Sequence, residues 1–395
     1  MNRRDLLKAA GITAAGAGLC GFLPFLRRQR PEETSEPDES GDAGVEEKSA
    51  TKQARTLPDG VEARHYRARD DGTVVCKLCF RKCAVIDGGR GSCRNRINSG
   101  GTMETLLYGR PSAVAVEPTE KEPLHHFLPG TNVLCIGTAG CNFHCKFCHN
   151  WHLSQRGVEE VGRYFTLTPA EMVDLAGRHE VPAISFTYNE PAVFYEYMYD
   201  IAVKARAEGL KTVFHSNGGM SRRPLEELLP HMDGATVDLK GFTQTYYEKL
   251  CEAELKPVLR TLETIKKSGT WLEIVNLVLP THNDSPSEVR SMCKWIRDNL
   301  GSETPLHFSR FSPSYQMTNL PPTPVSTLER CRDIAAEVGI KFISIGNVPG
   351  HEANSTFCPG CGKRIIHRQH FTVIEIKVKD GACESCGRPI PGVWS

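Results

Sequence analysis

Between residues 111 and 350 the chain repeatedly alternates short β-rich runs with longer amphipathic stretches. The β-rich runs are NVLCIG (132–137), AISFTY (183–188), TVFHSN (212–217), ATVDLK (235–240), WLEIVNLVL (271–279), LHFSRF (306–311) and KFISIG (341–346). Helical patterns fall between them at 168–178, 191–208, 222–229, 256–268, 285–299 and 325–338. Thr168-Pro169-Ala170-Glu171 has the form of an N-cap followed by Pro at the first helical position. Alternation at this spacing predicts an α/β domain with a parallel sheet, open or closed into a barrel. In such folds the chemistry sits at the C-terminal ends of the strands. The 395 residues allow one large domain with smaller ones beside it, and a composition 39% hydrophobic and 24% charged fits a globular protein. A net charge of +1 gives no bulk electrostatic reason to expect nucleic acid as a partner.

The loop after the first of these strands reads GTAGCNFHCKFCHNW (137–151) and carries Cys141, Cys145 and Cys148. Sixteen cysteines is unusual for a chain of this length. Grouped as CxxC and CxxxCxxC, they read as metal ligands rather than a disulfide framework, which favours a reducing compartment for the working site. Three thiolates can bind three irons of a [4Fe–4S] cube and leave the fourth iron open to a small chelating molecule. A three-thiolate zinc site is the competing reading. The CxxxCxxC spacing, with Phe147 before its last cysteine, resembles the signature of the radical SAM superfamily. That resemblance implies S-adenosylmethionine on the open iron, reductive cleavage of its S–C5′ bond and a 5′-deoxyadenosyl radical.

Other strand ends carry polar residues that such a ligand needs. Glu190 follows the second strand in TYNEP, where the superfamily has a GGE-type motif; Tyr188 and Asn189 stand in place of the glycines. Asn217 ends the third strand, and Asp238 and Lys240 end the fourth. Two residues apart on a strand, Asp238 and Lys240 point the same way and could pair with an ammonium and a carboxylate. His307 lies on the sixth strand. Glu190, Asn217, Asp238, Lys240 and His307 are the expected S-adenosylmethionine contacts. Against this stand blander roles: a helix cap or turn residue for Glu190 or Asn217, a structural ion pair for Asp238–Lys240, and a core histidine for His307.

Two smaller cysteine sets flank the alternating region. A module over 63–110 carries Cys76, Cys79, Cys83 and Cys93 with a glycine-rich loop. Four thiolates there suit one tetrahedral zinc or an accessory iron–sulfur cluster; four free core cysteines is the third reading. Residues 355–395 carry Cys358-Pro-Gly-Cys361 and Cys383-Glu-Ser-Cys386, two knuckles each followed by Gly, with the alternating TVIEIKV between them. Paired knuckles predict a zinc ribbon, closed and structural because the protein supplies all four ligands. Cys20, Cys135, Cys251, Cys293 and Cys331 are isolated and read as ordinary small apolar residues.

The first thirty residues begin with Arg3-Arg4 and continue into an uncharged Ala/Gly-rich run, a twin-arginine-like leader or an uncleaved anchor. Arg27, Arg28 and Arg30 follow at once, and positive charge resists translocation. Residues 31–62 open with a Glu- and Asp-rich segment that cannot support a core and predict a disordered linker. The leader leaves export open, whereas S-adenosylmethionine chemistry favours a cytoplasmic or membrane-tethered enzyme.

Taken in order, CKLCFRKC…GSCRNR, VEPTEKEPLHHFLPG, GTAGCNFHCKFCHNWHLSQ, TYNEP, DLKGF, LHFSRFSP and FCPGCGK…GACESCGRPIPGVW resemble the radical SAM enzyme of the AmmeMemoRadiSam system over about 63–395. That family is related to pyruvate formate-lyase activating enzymes, whose DxK and late-strand His contact S-adenosylmethionine; Asp238, Lys240 and His307 match those positions. His149 stands where the family commonly has Gln. The resemblance implies a partial (β/α) barrel, a [4Fe–4S] cluster, S-adenosylmethionine, a low-potential electron donor and companions resembling Memo and AMMECR proteins. It leaves the substrate unnamed. A glycyl-radical activase and a metal-bound scaffold without redox chemistry are the alternatives.

Overall fold

The computed structural model describes residues 57–395. The leader expected over 1–30, with Cys20, and the linker as far as residue 56 lie outside the described residues. Among the described residues no helix is long and apolar enough to cross a membrane.

One eight-stranded sheet organises the molecule. Its strands are β1 (Ala113–Pro118), β2 (Asn132–Gly137), β3 (Ala183–Phe186), β4 (Lys211–Ser216), β5 (Gly234–Asp238), β6 (Trp271–Val278), β7 (Leu306–Arg310) and β8 (Ile343–Gly346). They lie in sequence order across the sheet. β1 pairs antiparallel with β2, and every later pair is parallel. The principal helices follow the strands: α1 (Pro169–Arg178), α2 (Tyr195–Ala207), α3 (Arg222–Leu228), α4 (Leu255–Ser268), α5 (Pro286–Leu300) and α6 (Val325–Val338). The parallel sheet is the one the alternation predicts, and its form is the partial (β/α) barrel that the family resemblance implies.

Local chemistry sets the helix ends. Thr168 caps α1 by accepting from Glu171 N (3.3 Å), the Glu171 carboxylate accepts in return from Thr168 N (2.8 Å), and Pro169 begins the helix. Ser285 caps α5 by accepting from Glu288 N (3.3 Å), with Pro286 behind it. Helix α4 stops at Gly269, whose φ of +85° is open to glycine at no steric cost.

The sheet register decides which side chains meet. Phe186 pairs with Phe214, and Phe308 with Ile345; all four are buried in the main apolar core that also takes the inner faces of α2, α4 and α5. On the opposite face Asp238, Val275, His307 and Ser344 form one row across β5 to β8. That row, with period-two alternation behind it, is the wall of the site.

Two small units are built on this barrel. Residues 61–105 hold two three-stranded antiparallel sheets, one formed by 61–62, 102–105 and 96–99, the other by 66–68, 74–76 and 84–85. Val61 and Glu62, at the end of the segment expected as linker, thus belong to a strand. The guanidinium of Arg96 is buried against Glu196 of α2 and joins this module to the barrel. At the other end, strands 356–357, 364–369 and 372–376 form a sheet, followed by the hairpin 378–379/382–383.

Candidate active site

The cysteine loop leaves the C-terminal end of β2 and is pinned from several directions. Asn189 accepts from Thr138 N (3.0 Å) and donates to the carbonyls of Ala139 (3.2 Å) and Gly140 (2.8 Å). Asn150 donates to Tyr188 O (2.6 Å), and Lys146 N donates to Leu250 O (2.9 Å). Gly137 has no room for a side chain, because Tyr188 would lie 2.9 Å from its Cβ. The loop is therefore set by the β3 end and by the segment around Cys251, not by its own sequence alone.

Cys141, Cys145 and Cys148 are the cysteines that line a cavity of about 480 Å³ at the strand ends. Its size suits a small-molecule ligand. Phe143 N donates to Cys141 Sγ (3.3 Å), Asn217 Nδ2 approaches the same sulfur (3.5 Å), and Cys148 Sγ lies 3.2 Å from Ser154 Oγ. Burial holds the Cys141 and Cys148 thiols above the usual range; for Cys145 the hydrogen bond with the Cys251 thiol is the main cause, and burial adds to it. Bare thiols here resist ionisation, and a cationic iron centre supplies the missing compensation. Three thiols, with no fourth lining this cavity among the described residues, fit a cluster that leaves one iron for a ligand.

The strand-end residues named from sequence all line this cavity. Asp238 accepts from Lys240 Nζ (2.7 Å) and lies 3.3 Å from His215 Nε2. Burial works against the Asp238 carboxylate, yet Lys240 and His215 hold it well below the usual range. Burial likewise opposes the Lys240 ammonium, and Asp238 with Cys145 keeps it charged well beyond its ordinary pH. Asn217 donates to Asn142 Oδ1 (2.8 Å) and accepts from Gly219 N (2.9 Å), so its side chain bridges the cysteine loop and the β4 end. Phe147 is buried in the wall beside Tyr246.

Glu190 and His307 are more engaged than their sequence positions suggest. Glu190 accepts from Ala192 N (3.0 Å), Ser216 Oγ (2.9 Å) and Asn217 N (2.8 Å), tying the β3 end to the β4 end. Burial pushes its carboxyl up, against those three donors. Both nitrogens of His307 are taken, Nδ1 by Ser344 Oγ (2.6 Å) and Nε2 by Glu273 (2.7 Å). Its ring faces the cavity while its polar atoms serve the wall.

The sequence comparisons agree with this geometry. The profile of the radical SAM superfamily matches residues 135–296. The uncharacterized protein MJ0808 of Methanocaldococcus jannaschii is 44% identical over 331 residues, 83% of this chain and 98% of the relative. The chain belongs to the radical SAM superfamily. A 7-carboxy-7-deazaguanine synthase of the same organism is 27% identical over 148 residues, 33% of this chain and 58% of that protein. Among solved structures, a radical SAM methyltransferase from Sphaerobacter thermophilus aligns with 73% of this chain and 78% of its own at 15% identity and a TM-score of 0.45. Membership makes this chain a radical SAM enzyme and implies a [4Fe–4S] cluster and S-adenosylmethionine as its cofactors.

The radical SAM cavity also includes residues that no sequence pattern places there. His370 and Phe371, at the turn between strands 364–369 and 372–376 of the C-terminal unit, line it. More than two hundred residues separate them from the cysteine loop, and no local motif announces the contact. His215 was within reach of sequence reasoning, because it lies two residues before Asn217 on the same strand face. Asn189 was visible only as a replacement for a glycine; its role in holding the loop follows from the fold.

In the C-terminal unit the sulfurs of Cys358, Cys361, Cys383 and Cys386 lie within 4.8 Å of one another. Cys358 and Cys386 are 3.6 Å apart, and Cys361 and Cys383 are 3.9 Å apart. Four thiolates around one ion with bonds near 2.3 Å stand about 3.8 Å from each other, so the set is arranged for a single metal. Among the described residues, no second group of three or more ligating side chains converges as closely.

Proposed function

We propose that this radical SAM enzyme cleaves S-adenosylmethionine reductively at a [4Fe–4S] cluster held by Cys141, Cys145 and Cys148. The observation that carries the reading is three thiols, that of Cys145 buried and those of Cys141 and Cys148 partly buried, which line a ligand-sized cavity at the strand ends with no fourth among the described residues. When bound, the cluster and S-adenosylmethionine together supply a 5′-deoxyadenosyl radical that removes a hydrogen atom from the substrate.

The chain's own residues position and shield. Asp238 and Lys240 present a fixed carboxylate and ammonium, complementary to the ligand's ammonium and carboxylate. Asn217 holds the loop through Asn142 and leans a donor toward Cys141. Glu190 fixes the Asn217 backbone and keeps spare acceptor capacity toward the cavity. His307 contributes a ring face, and Phe147 excludes water behind the cluster loop. The C-terminal set of four cysteines takes zinc, as its contact-distance sulfurs favour, and serves structure alone.

The ordered motifs support the finer reading that the enzyme belongs to the AmmeMemoRadiSam system, with Memo-like and AMMECR-like companions. Its electrons come from a low-potential one-electron carrier. The test is 5′-deoxyadenosine formation from S-adenosylmethionine by anaerobically prepared protein reduced with dithionite. Product is expected from the intact chain and only background from Cys145→Ala. Undiminished product from Cys145→Ala would overturn the assignment.

A further inference from the structure

The N-terminal cysteines face a different geometry from the ribbon. Cys76, Cys79, Cys83 and Cys93 line one narrow cavity, and among the described residues no three of their sulfurs converge within 4.8 Å as the ribbon's four do. Four sulfurs gripping one zinc at about 2.3 Å would stand about 3.8 Å from one another. A cube whose four irons each take a different cysteine requires the sulfurs to stand apart around a void.

The other lining groups point to an acceptor-rich occupant. Arg96 and Asn142 share this cavity with the four cysteines. Both are about 1% exposed. Arg96 Nε and Nη1 and Asn142 Nδ2 are buried with no hydrogen-bond partner among the described residues. A buried orphan donor is costly, and a guanidinium more so. An iron–sulfur cube offers its bridging sulfides as well as its thiolates as acceptors, and such hydrogen bonds are known to tune cluster potential.

The cavity also abuts the catalytic loop. Asn142, next to Cys141 in sequence, is in its wall. The Cys93 carbonyl packs so closely on Gly140 that a Cβ there would lie 2.4 Å from it. Phe80 N donates to Gly219 O (3.1 Å), its ring meets Phe143 edge-on at 5.4 Å, and Ser92 Oγ lies 2.8 Å from His144 Nε2.

We propose that Cys76, Cys79, Cys83 and Cys93 hold a second [4Fe–4S] cluster that passes electrons to the cluster on the 141–148 loop. The relay part rests on the function proposed above; the site does not. One electron leaves the module cluster, which goes from reduced to oxidised, and enters the loop cluster, which goes from oxidised to reduced. A low-potential one-electron carrier protein restores the first.

The test uses full-length protein prepared without oxygen from iron-replete cells, carrying Cys141→Ala, Cys145→Ala and Cys148→Ala together. About four iron and about four acid-labile sulfide per chain should remain, with an EPR signal on reduction. Zinc in the module, or no metal there, overturns the proposal. The N-terminal ligands are untouched in this variant, and hydrogen exchange across 61–105 matching that of the unaltered chain shows that the module keeps its fold. The readout needs no S-adenosylmethionine, so failure of 5′-deoxyadenosine formation in the intact chain leaves it standing. In the unaltered protein the two reduced clusters should broaden each other's EPR signals. Two spectra that simply add overturn the relay.

Discussion

The C-terminal ribbon and the catalytic loop both present clustered cysteines, yet they are prepared for opposite tasks. In the ribbon the sulfurs touch, at 3.6 and 3.9 Å, and Cys361 and Cys386 are exposed. Burial opposes ionisation of Cys358, but the backbone N–H groups of Cys361 and Gly360, with neighbouring thiols, hold it down at about 7. In the loop the three thiols sit around a cavity, and their surroundings push them up. The ribbon is a closed structural site; the loop requires a polynuclear group and leaves space for a ligand. The difference is one of spacing and of what flanks the sulfurs, since the residue type is the same.

Metal removal separates the two sites most sharply. Cys145→Ala should abolish iron at the loop and 5′-deoxyadenosine with it, while the ribbon keeps its metal. Cys358→Ala with Cys383→Ala should do the reverse. Metal binding at a small site is largely folding energy, about 10 kcal/mol or more for structural zinc. Hydrogen exchange across 355–395 should then rise steeply, while β2 to β8 stay protected. Loop iron should persist, and S-adenosylmethionine cleavage should fall by no more than about tenfold, a barrier change near 1.4 kcal/mol. Loss of loop iron in that variant would show that the two sites are one cooperative unit.

The joint between ribbon and barrel comes next in size. Arg368, from strand 364–369, is buried; it donates to His125 O (2.5 Å) and Thr356 Oγ1 (2.8 Å), and its Nε lies 3.6 Å from Glu120. Arg368→Ala leaves Glu120 as an uncompensated buried carboxylate, and breaking such a pair costs about 3–5 kcal/mol. A drop in thermal midpoint with the ribbon released first is the expected outcome. An unchanged midpoint would mean that the metal alone holds the ribbon in place.

Glu273 sits behind the same joint and accepts four donors: His125 N (2.9 Å), His126 N (2.7 Å), Trp271 Nε1 (2.9 Å) and His307 Nε2 (2.7 Å). Burial alone would raise its pKa; His307 and the other donors bring it to about 2, from an ordinary 4.5. A depressed carboxylate adds stability above its unfolded value, and that stability is lost as pH falls from about 4.5 toward about 2. The shift corresponds to about 3 kcal/mol. Glu273→Gln should therefore lower stability at neutral pH and flatten the acid limb of the stability profile between those values. An acid limb as steep as that of the unaltered chain would place the titrating group elsewhere.

These residues also mark how far the sequence could be read. The seven parallel strands and their helices were legible because the apolar period switches from two to 3.6 within each βα unit. β1 was not: AVAVEP follows Pro111, itself ends in Pro118 and is mostly half-buried, so its pairing with β2 is decided by the partner. The three loop cysteines were legible from spacing on a strand-end loop. The engagement of His307 was not, because it depends on Glu273 one strand away and Ser344 on the other side, a matter of register. His370 and Phe371 reach the cavity only through the placement of the whole ribbon.

The smallest effect is expected from the ribbon's other arginine, and it tests what burial contributes. Arg388 follows the second knuckle and pairs with Glu303 at 3.3 Å, with about two-fifths of its side chain exposed and nearly half of Glu303. The charges match those of Arg368 and Glu120, and both pairs join the ribbon to the rest of the chain. Solvent reverses the outcome. Water already stabilises each exposed partner, salt screens the attraction, and two long side chains lose freedom in meeting, so such pairs contribute about 0–1 kcal/mol. Arg388→Ala should leave the thermal midpoint nearly unchanged and leave the ribbon's hydrogen-exchange protection intact, where Arg368→Ala removes it. A loss from Arg388→Ala as large as that from Arg368→Ala would place the hold on the ribbon at its surface rather than in the buried seam.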